Sequence, residues 1–488
     1  MIERIKEFRM KYIILLLIIS IFSFNCSIGD GKKRADYNLL IIVSDALRAD
    51  VLSCYGGKAE TPNICKLASE GVLFETAYSN APWTLPSSVA MLTGNYPSVY
   101  MQAKGKGMNS EVEKTFYAVN DSEVLLAEEL RKKGYDVFYS LENKIPRLSN
   151  LVQGFDDIEE HVNVTETEKK YMKKVLNLDL EDRRSQENLS LLFYLMNTEK
   201  NFYILKWIMD PHAPYSPPRK LRNKINIDTS KLKRNKKYYR RISSKYLADL
   251  GEEGPTLDDY ELHYVTQLYS REIESVDERL GKILKALEIN ELRDNTIIVF
   301  TSDHGEGFGE HGKFFHGGSY YEPIVRVPLI ITGPGIVKGK RIKKAVSHID
   351  LMPTLKDLLK IDCLNNAQGR SFKSSLVSEK ESINDRIIYF VVNGGSGYPS
   401  AIRFKNYKLI IKSKKDIKLY NLSKDPEELY DLSKEKPQLL EELKEKIEKI
   451  RNENKRRKKK NMKHFDKAFL ERMNKETIKK LRSLGYIQ

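Results

Sequence analysis

Only two tryptophans and four cysteines occur in the 488 residues, and no apolar run is long enough for a comfortable membrane span. Cys54, Cys65 and Cys363 follow Cys26, and an odd number permits at most one bridge among these three, which excludes a disulfide scaffold. Cys54 and Cys65 are the pair close in sequence; buried free thiols are the alternative, and the spacing does not resemble a zinc site. No internal repeat and no Pro/Ser-rich linker divides the chain, and 27 glycines with 17 prolines is an ordinary complement, so most of it is expected to be globular. The net charge of +16 comes without basic residues interleaved with stacking aromatics and without a base-reading motif, so nucleic acid is not an expected partner.

Part of that charge is local. Lys455 to Lys460 reads KRRKKK and a second cluster surrounds Lys231 to Arg241; solvated helix faces or loops account for both, with attraction to anionic headgroups or an anionic substrate as the functional alternative. Near the start, positive charge and Lys11 precede YIILLLIISIFSF, then Asn25 and Cys26. This resembles a bacterial lipoprotein signal with Cys26 as the lipidated residue, and Met10 offers a second start. The expectation is a signal segment over 1–26 and a catalytic body outside the cytoplasm, lipid-anchored to a membrane on the periplasmic side or at the cell surface. A plain transmembrane anchor is the alternative.

Asn38 to Ser44 (NLLIIVS) is a continuous apolar run ending at an acidic residue, the pattern of a buried parallel strand. Phe202 to Met209 ends likewise at Asp210, and Thr296 to Thr301 just before Asp303. Active sites of open α/β sheets lie beyond the carboxyl ends of strands, so three strand ends point polar groups to one region. Ile273, Val276, Leu280, Ile283, Leu284 and Leu287 recur at helical spacing, and the polar stretch from about Arg219 to Asp258 reads as an insertion near the site. From about Arg386 short alternating strands predict a small antiparallel-sheet subdomain (386–438), followed by a charged helical tail (439–488) whose final LRSLGYIQ is apolar enough to dock back.

Two segments carry chemistry. In APWTLPSSVAMLTG, Pro86 suits a helix start and puts Thr84 at or near the N-cap, where free amides and the helix dipole stabilise negative charge on its oxygen. SDHGEGFGEHG gathers Asp303, His304, Glu306, Glu310 and His311 in one glycine-rich loop, a costly concentration of charge unless a cation collects it, and Asp45 adds a further carboxylate.

The ordered segments VSDALRADVLSCYG, TPNICKLASEGVLF, WTLPSSVAMLTG, MDPHAPY, NTIIVFTSDHGEGFGEHG, VRVPLII and LYNLSKDPEELYDLS resemble the motifs of the sulfatase family, within the alkaline-phosphatase superfamily, from about Asn38 to Ser433. The resemblance implies an α/β fold: an α/β/α sandwich on a largely parallel sheet as catalytic domain (37–385), with a smaller C-terminal sheet. It implies a hydrolase with one divalent metal ion (Mn, Zn, Mg or Ca) held by Asp45, Asp303, His304 and Thr84, with Thr84 at the nucleophile position. His212 and His316 match positions that contact the bound anion or protonate the leaving group, while His311 and His348 are read as structural.

The departures from the family pattern bear on the substrate. Sulfatases carry a Cys or Ser oxidised to formylglycine, and an Arg four residues later; here stand Thr84 and Ser88, so no formylglycine is expected. The second Asp of the usual pair is Ala46, and the family lysine is poorly matched by SLENK around Lys144. A formylglycine sulfate expels its anion by breaking a carbon–oxygen bond, whereas a threonine ester must be attacked again at sulfur or phosphorus. Phosphorus accepts that attack more readily, which adds phosphate mono- or diesters to sulfate esters of small molecules, glycans or lipids as expected substrates. The alternatives are an envelope transferase of phosphoglycerol or phosphoethanolamine and an inactive envelope-binding protein.

Overall fold

The computed structural model describes residues 36–106, 113–120, 123–240, 242, 255–364, 366–392 and 399–462, with the side chains of 101–118, 148 and 462 left aside. The signal segment and the terminal LRSLGYIQ lie outside the described residues. Nine strands make the main sheet: β1 (Asn38–Ser44), β2 (Val72–Tyr78), β3 (Asp136–Leu141), β4 (Asp156–Asp157), β5 (Phe202–Ile208), β6 (Thr296–Ser302), β7 (Arg326–Thr332), β8 (Lys340–Ile342) and β9 (Val346–Ser347). Their order is β8-β2-β7-β6-β1-β5-β3-β4, with β9 also on β2, and β7 alone runs against its two neighbours. The three runs read from sequence as buried strands are β1, β5 and β6. They lie side by side in parallel at the centre, every residue buried, because β-branched and leucine side chains on both faces exclude water under covering helices.

Two helices matter for the site. Helix α1 (Thr84–Thr93) is buried along its whole length. Helix α2 (Asp259–Ile289) is longer than the apolar stripe alone predicts: Asp258 and Glu261 form a capping box that starts it, and Tyr264, Val265 and Leu268 extend the buried face. The Arg219–Asp258 stretch, read as polar, contributes buried Leu232, Tyr239 and Ile242 to the same core, and the Tyr239 hydroxyl donates to Glu261.

As expected, the C-terminal part forms a separate antiparallel sheet, β10 (Ile388–Val391), β11 (Ser400–Phe404), β12 (Tyr407–Ile411) and β13 (Ile417–Asn421), in sequential order. Helix α3 (Pro437–Met462) packs Leu443 and Ile447 against Leu409 and Leu419 of that sheet. Lys455, Arg456, Lys459 and Lys460 of the basic cluster are exposed at its far end, so their charge is solvated. Among the described residues no helix is long and apolar enough to cross a membrane.

Candidate active site

Asp45 follows β1, Asn143 follows β3, His212 follows β5, and Asp303 with His304 follows β6, so neighbouring parallel strands deliver their polar ends to one place. One oxygen each from Asp45 and Asp303 and a ring nitrogen of His304 lie within 4.8 Å of one another, all fully buried. His304 Nε2 is 3.6 Å from Asp45 Oδ1 and 3.4 Å from Asp303 Oδ2. Its Nδ1 lies 2.8 Å from Gly305 O, a contact that places the proton on Nδ1 and leaves the Nε2 lone pair facing the carboxylates.

The outer oxygens are spoken for. Asp45 Oδ2 accepts from Asn143 Nδ2 at 2.5 Å and Trp207 Nε1 at 3.1 Å, and Asp303 Oδ1 accepts from the amides of Ala46 (3.1 Å) and His304 (2.9 Å). The inner oxygens, Asp45 Oδ1 and Asp303 Oδ2, are buried and have no hydrogen-bond partner among the described residues. Burial drives the Asp45 pKa up to about 6, with the Asp303 charge adding to it, and the Asp303 pKa up to about 7; it drives that of His304 down to about 3. Two orphaned carboxylate oxygens and an imidazole lone pair converging in a dry site are the donor set a divalent cation requires, so these residues fit the metal that the motifs imply.

Thr84 stands over this cluster, its Oγ1 3.4 Å from His304 Nε2. It is the first residue of α1 and Trp83 is the N-cap, one position earlier than the proline suggests. His316 and His212 complete the wall: the His316 ring is 4.3 Å from that of His304 and 4.9 Å from that of His212. His212 is fixed by Nδ1 at 2.6 Å from Ala213 O, and His316 by Nδ1 at 2.9 Å from Glu306 Oε1. The other oxygen of the buried Glu306 accepts from Tyr215 OH at 3.0 Å.

All six residues singled out from sequence, Asp45, Thr84, His212, Asp303, His304 and His316, therefore meet. The acidic loop divides instead of collecting around one point. Glu306 holds His316, Glu310 pairs with Arg48 at 2.6 Å, and His311 stacks on Tyr321 with ring centroids 3.6 Å apart. His348 is buried between Ser87 and Thr301. The departures from the family motifs also find physical explanations. Ala46 takes a left-handed conformation (φ 59°) in which its amide, not a second carboxylate, meets Asp303. Ser88 folds its hydroxyl back onto Thr84 O at 2.6 Å, and Lys144 is exposed while its neighbour Asn143 reaches the site.

Sequence reasoning missed Asn143, Trp207 and Tyr215. It also missed a buried charge cluster beneath them: Glu142 bonds Lys206 at 2.8 Å and Arg279, and Asp210 bonds Arg184 at 2.5 Å and lies 3.6 Å from Arg279, so Arg279 ties the loops that carry Asn143 and His212 to α2. The signal for Asn143 and Glu142 was present as polar residues directly after a strand, within the SLENK segment compared with the family lysine.

Residues 37–361 match the sulfatase family model, and residues 309–453 match that of the N-sulphoglucosamine sulphohydrolase C-terminal region. The uncharacterized sulfatase YidJ of Escherichia coli K12 is 26% identical over 356 residues, 67% of this chain and 68% of that protein. The ulvan-active sulfatase of Formosa agariphila is 26% identical over 435 residues, 80% of this chain and 77% of its own. In fold, the crystal structure of the phosphonate monoester hydrolase of Agrobacterium radiobacter is similar with a TM-score of 0.65 at 21% identity, covering 86% of this chain and 96% of that one.

Proposed function

Since the chain belongs to the sulfatase family and is a sulfuric or phosphoric ester hydrolase, we propose that it works as a metal-dependent enzyme through a covalent ester on Thr84. The observation that carries this reading is the Thr84 hydroxyl, 3.4 Å from His304 Nε2, at the amino end of a helix above two unpartnered carboxylate oxygens. A divalent cation (Mn, Zn, Mg or Ca) held by Asp45, Asp303, His304 and Thr84 would supply Lewis-acid polarisation of the ester and lower the hydroxyl pKa. The residues themselves do the rest. Thr84 Oγ1, ionised by loss of its proton to water, attacks sulfur or phosphorus and displaces the ester's alkoxide, with the helix dipole stabilising its negative charge. His316 or His212 protonates the departing alkoxide from beside the cluster, and water then releases the anion from Thr84.

A threonine ester has no carbon–oxygen exit, so its release requires a second attack at the central atom. This supports phosphate esters beside sulfate esters, and similarity to an ulvan-active sulfatase supports a glycan as the organic part. Thr84 acts unmodified, without formylglycine. The reading as an exported lipoprotein on the periplasmic side or cell surface rests on the order of residues 1–26; palmitate labelling in a bacterial host, abolished by Cys26→Ser, tests it. For the chemistry, the metal-loaded protein and Thr84→Ala are assayed on an aryl sulfate, a phosphate monoester and a phosphate diester. Turnover of one class that Thr84→Ala abolishes supports the threonine mechanism; turnover that survives in Thr84→Ala defeats it, and transfer to an added alcohol with no hydrolysis would establish the transferase reading.

A further inference from the structure

Cys54 and Cys65 take no part in the reaction above. Cys54 sits in the short helical turn Ser53–Tyr55 and Cys65 is the fourth residue of helix Pro62–Ser69. A bridge between Leu52 and Ala59 folds the intervening loop back on itself and sets the turn that carries Cys54 against the helix that carries Cys65: Ser53, the residue before Cys54, has its Oγ 2.8 Å from Thr61 Oγ1 and 3.2 Å from Cys65 Sγ. Both are free and half-buried, so a small reagent reaches them. Cys65 Sγ has two hydroxyl neighbours, Ser53 Oγ at 3.2 Å and Thr61 Oγ1 at 3.6 Å.

These donors favour a negative sulfur. The Cys54 thiol first, then Ser53 and Thr61, outweigh burial and bring Cys65 down to about 6, while the same contact pushes Cys54 up. The charges facing the pair are Arg341, whose guanidinium donates to Cys54 O at 3.1 Å, and Asp277, which accepts from Ile64 N at 2.8 Å at the start of the Cys65 helix. Cys363 offers the contrast: it is buried, and burial raises its pKa to about 11.

We infer that Cys65 is a reactive thiol and Cys54 its resolving partner, and that the two form a reversible disulfide by exchange with a small disulfide such as oxidised glutathione. The Cys65 thiolate attacks one sulfur of the external disulfide, making a mixed disulfide and expelling one thiolate. Cys54 then loses its proton and attacks Cys65 Sγ, closing the internal bond and expelling the second. One external disulfide is reduced to two thiols for each protein disulfide formed.

The test treats the native full chain with oxidised glutathione, blocks the remaining thiols and maps peptides by mass spectrometry, so that Cys26 is distinguished. The expected result is a Cys54–Cys65 cross-link removed by dithiothreitol, with Cys363 unmodified, and in Cys54→Ser a glutathione adduct that persists on Cys65. Without oxidant, Cys65 is expected to react with iodoacetamide near pH 7 roughly tenfold or more faster than Cys363. The inference is overturned if both thiols of the wild type stay free and Cys54→Ser gains no adduct. An adduct on Cys65 in both proteins with no cross-link overturns the resolving role of Cys54.

Discussion

Replacing Asn143 with alanine removes one of the two donors that hold Asp45 Oδ2 and so aim Oδ1 at the candidate metal position. A hydrogen bond to a charged group contributes about 1.5–3 kcal/mol. Trp207 Nε1 remains on the same oxygen at 3.1 Å, which puts the loss in the lower part of that range. Since about 1.4 kcal/mol is a factor of ten, Asn143→Ala should bind a divalent cation roughly ten- to thirtyfold more weakly, in line with other losses of groups that support metal ligands. Calorimetric titration of the metal-stripped protein with Mn²⁺ measures this, with Ser190→Ala as control because its hydroxyl bonds only Val162 O at 3.0 Å, away from the cluster. An affinity within about twofold of wild type in a folded Asn143→Ala protein would refute the argument that Asp45 is a ligand oriented by Asn143.

Two further outcomes follow from the same geometry. In the metal-free protein Asp45 and Asp303 titrate at about 6 and about 7. Both lie above the unfolded value of about 4, so the folded chain holds extra protons between those limits, and their contribution to stability falls as pH rises through that window. Cation competes with these protons; the Tm gain on adding Mn²⁺ should therefore be larger at about pH 7.5 than at about pH 5.5, and equal gains by scanning fluorimetry would contradict it. Glu306→Gln takes the carboxyl partner from His316 Nδ1, so kcat should fall roughly 10- to 100-fold on esters with poor leaving groups and much less on a nitrophenyl ester; a uniform fall across leaving groups would mean that His316 does not protonate the alkoxide.

The parts of the fold that were legible in the sequence are those where one stretch carries its own signal. NLLIIVS, with no charge and no period-two alternation, can only be satisfied by burial on both faces, and it is the central strand. The site residues were legible because they follow such runs or sit in a compact motif. What stayed hidden depends on partners far along the chain. Lys206 reads as one charge within the apolar FYILKWIM, and only the fold shows it fully buried against Glu142, with Arg279 on the same carboxylate. Asn143 likewise reads as a loop residue until β1 and β3 are seen on either side of β5. The loop SDHGEGFGEHG misled in a different way: charge density alone does not say which carboxylates face inward, and the separate destinations of Glu306 and Glu310 are set by Tyr215, His316 and Arg48.

The placing of β1 has a consequence for timing. Its two neighbours in the sheet are β5 and β6, and the Asn38 side chain alone, accepting from Phe202 N and donating to Thr296 Oγ1, joins residues 164 and 258 positions away. Loop closure over such distances is slow, so the earliest-made strand waits longest for its partners. His316, which closes the wall of the site, lies a further 14 residues beyond the end of β6 at Ser302. While the chain is still being made, Asp45 and Thr84 thus exist as an isolated carboxylate and an ordinary alcohol. Reactivity arrives in one late step, when the last central strand slots in, and the appearance of activity during refolding would report closure of the whole sheet.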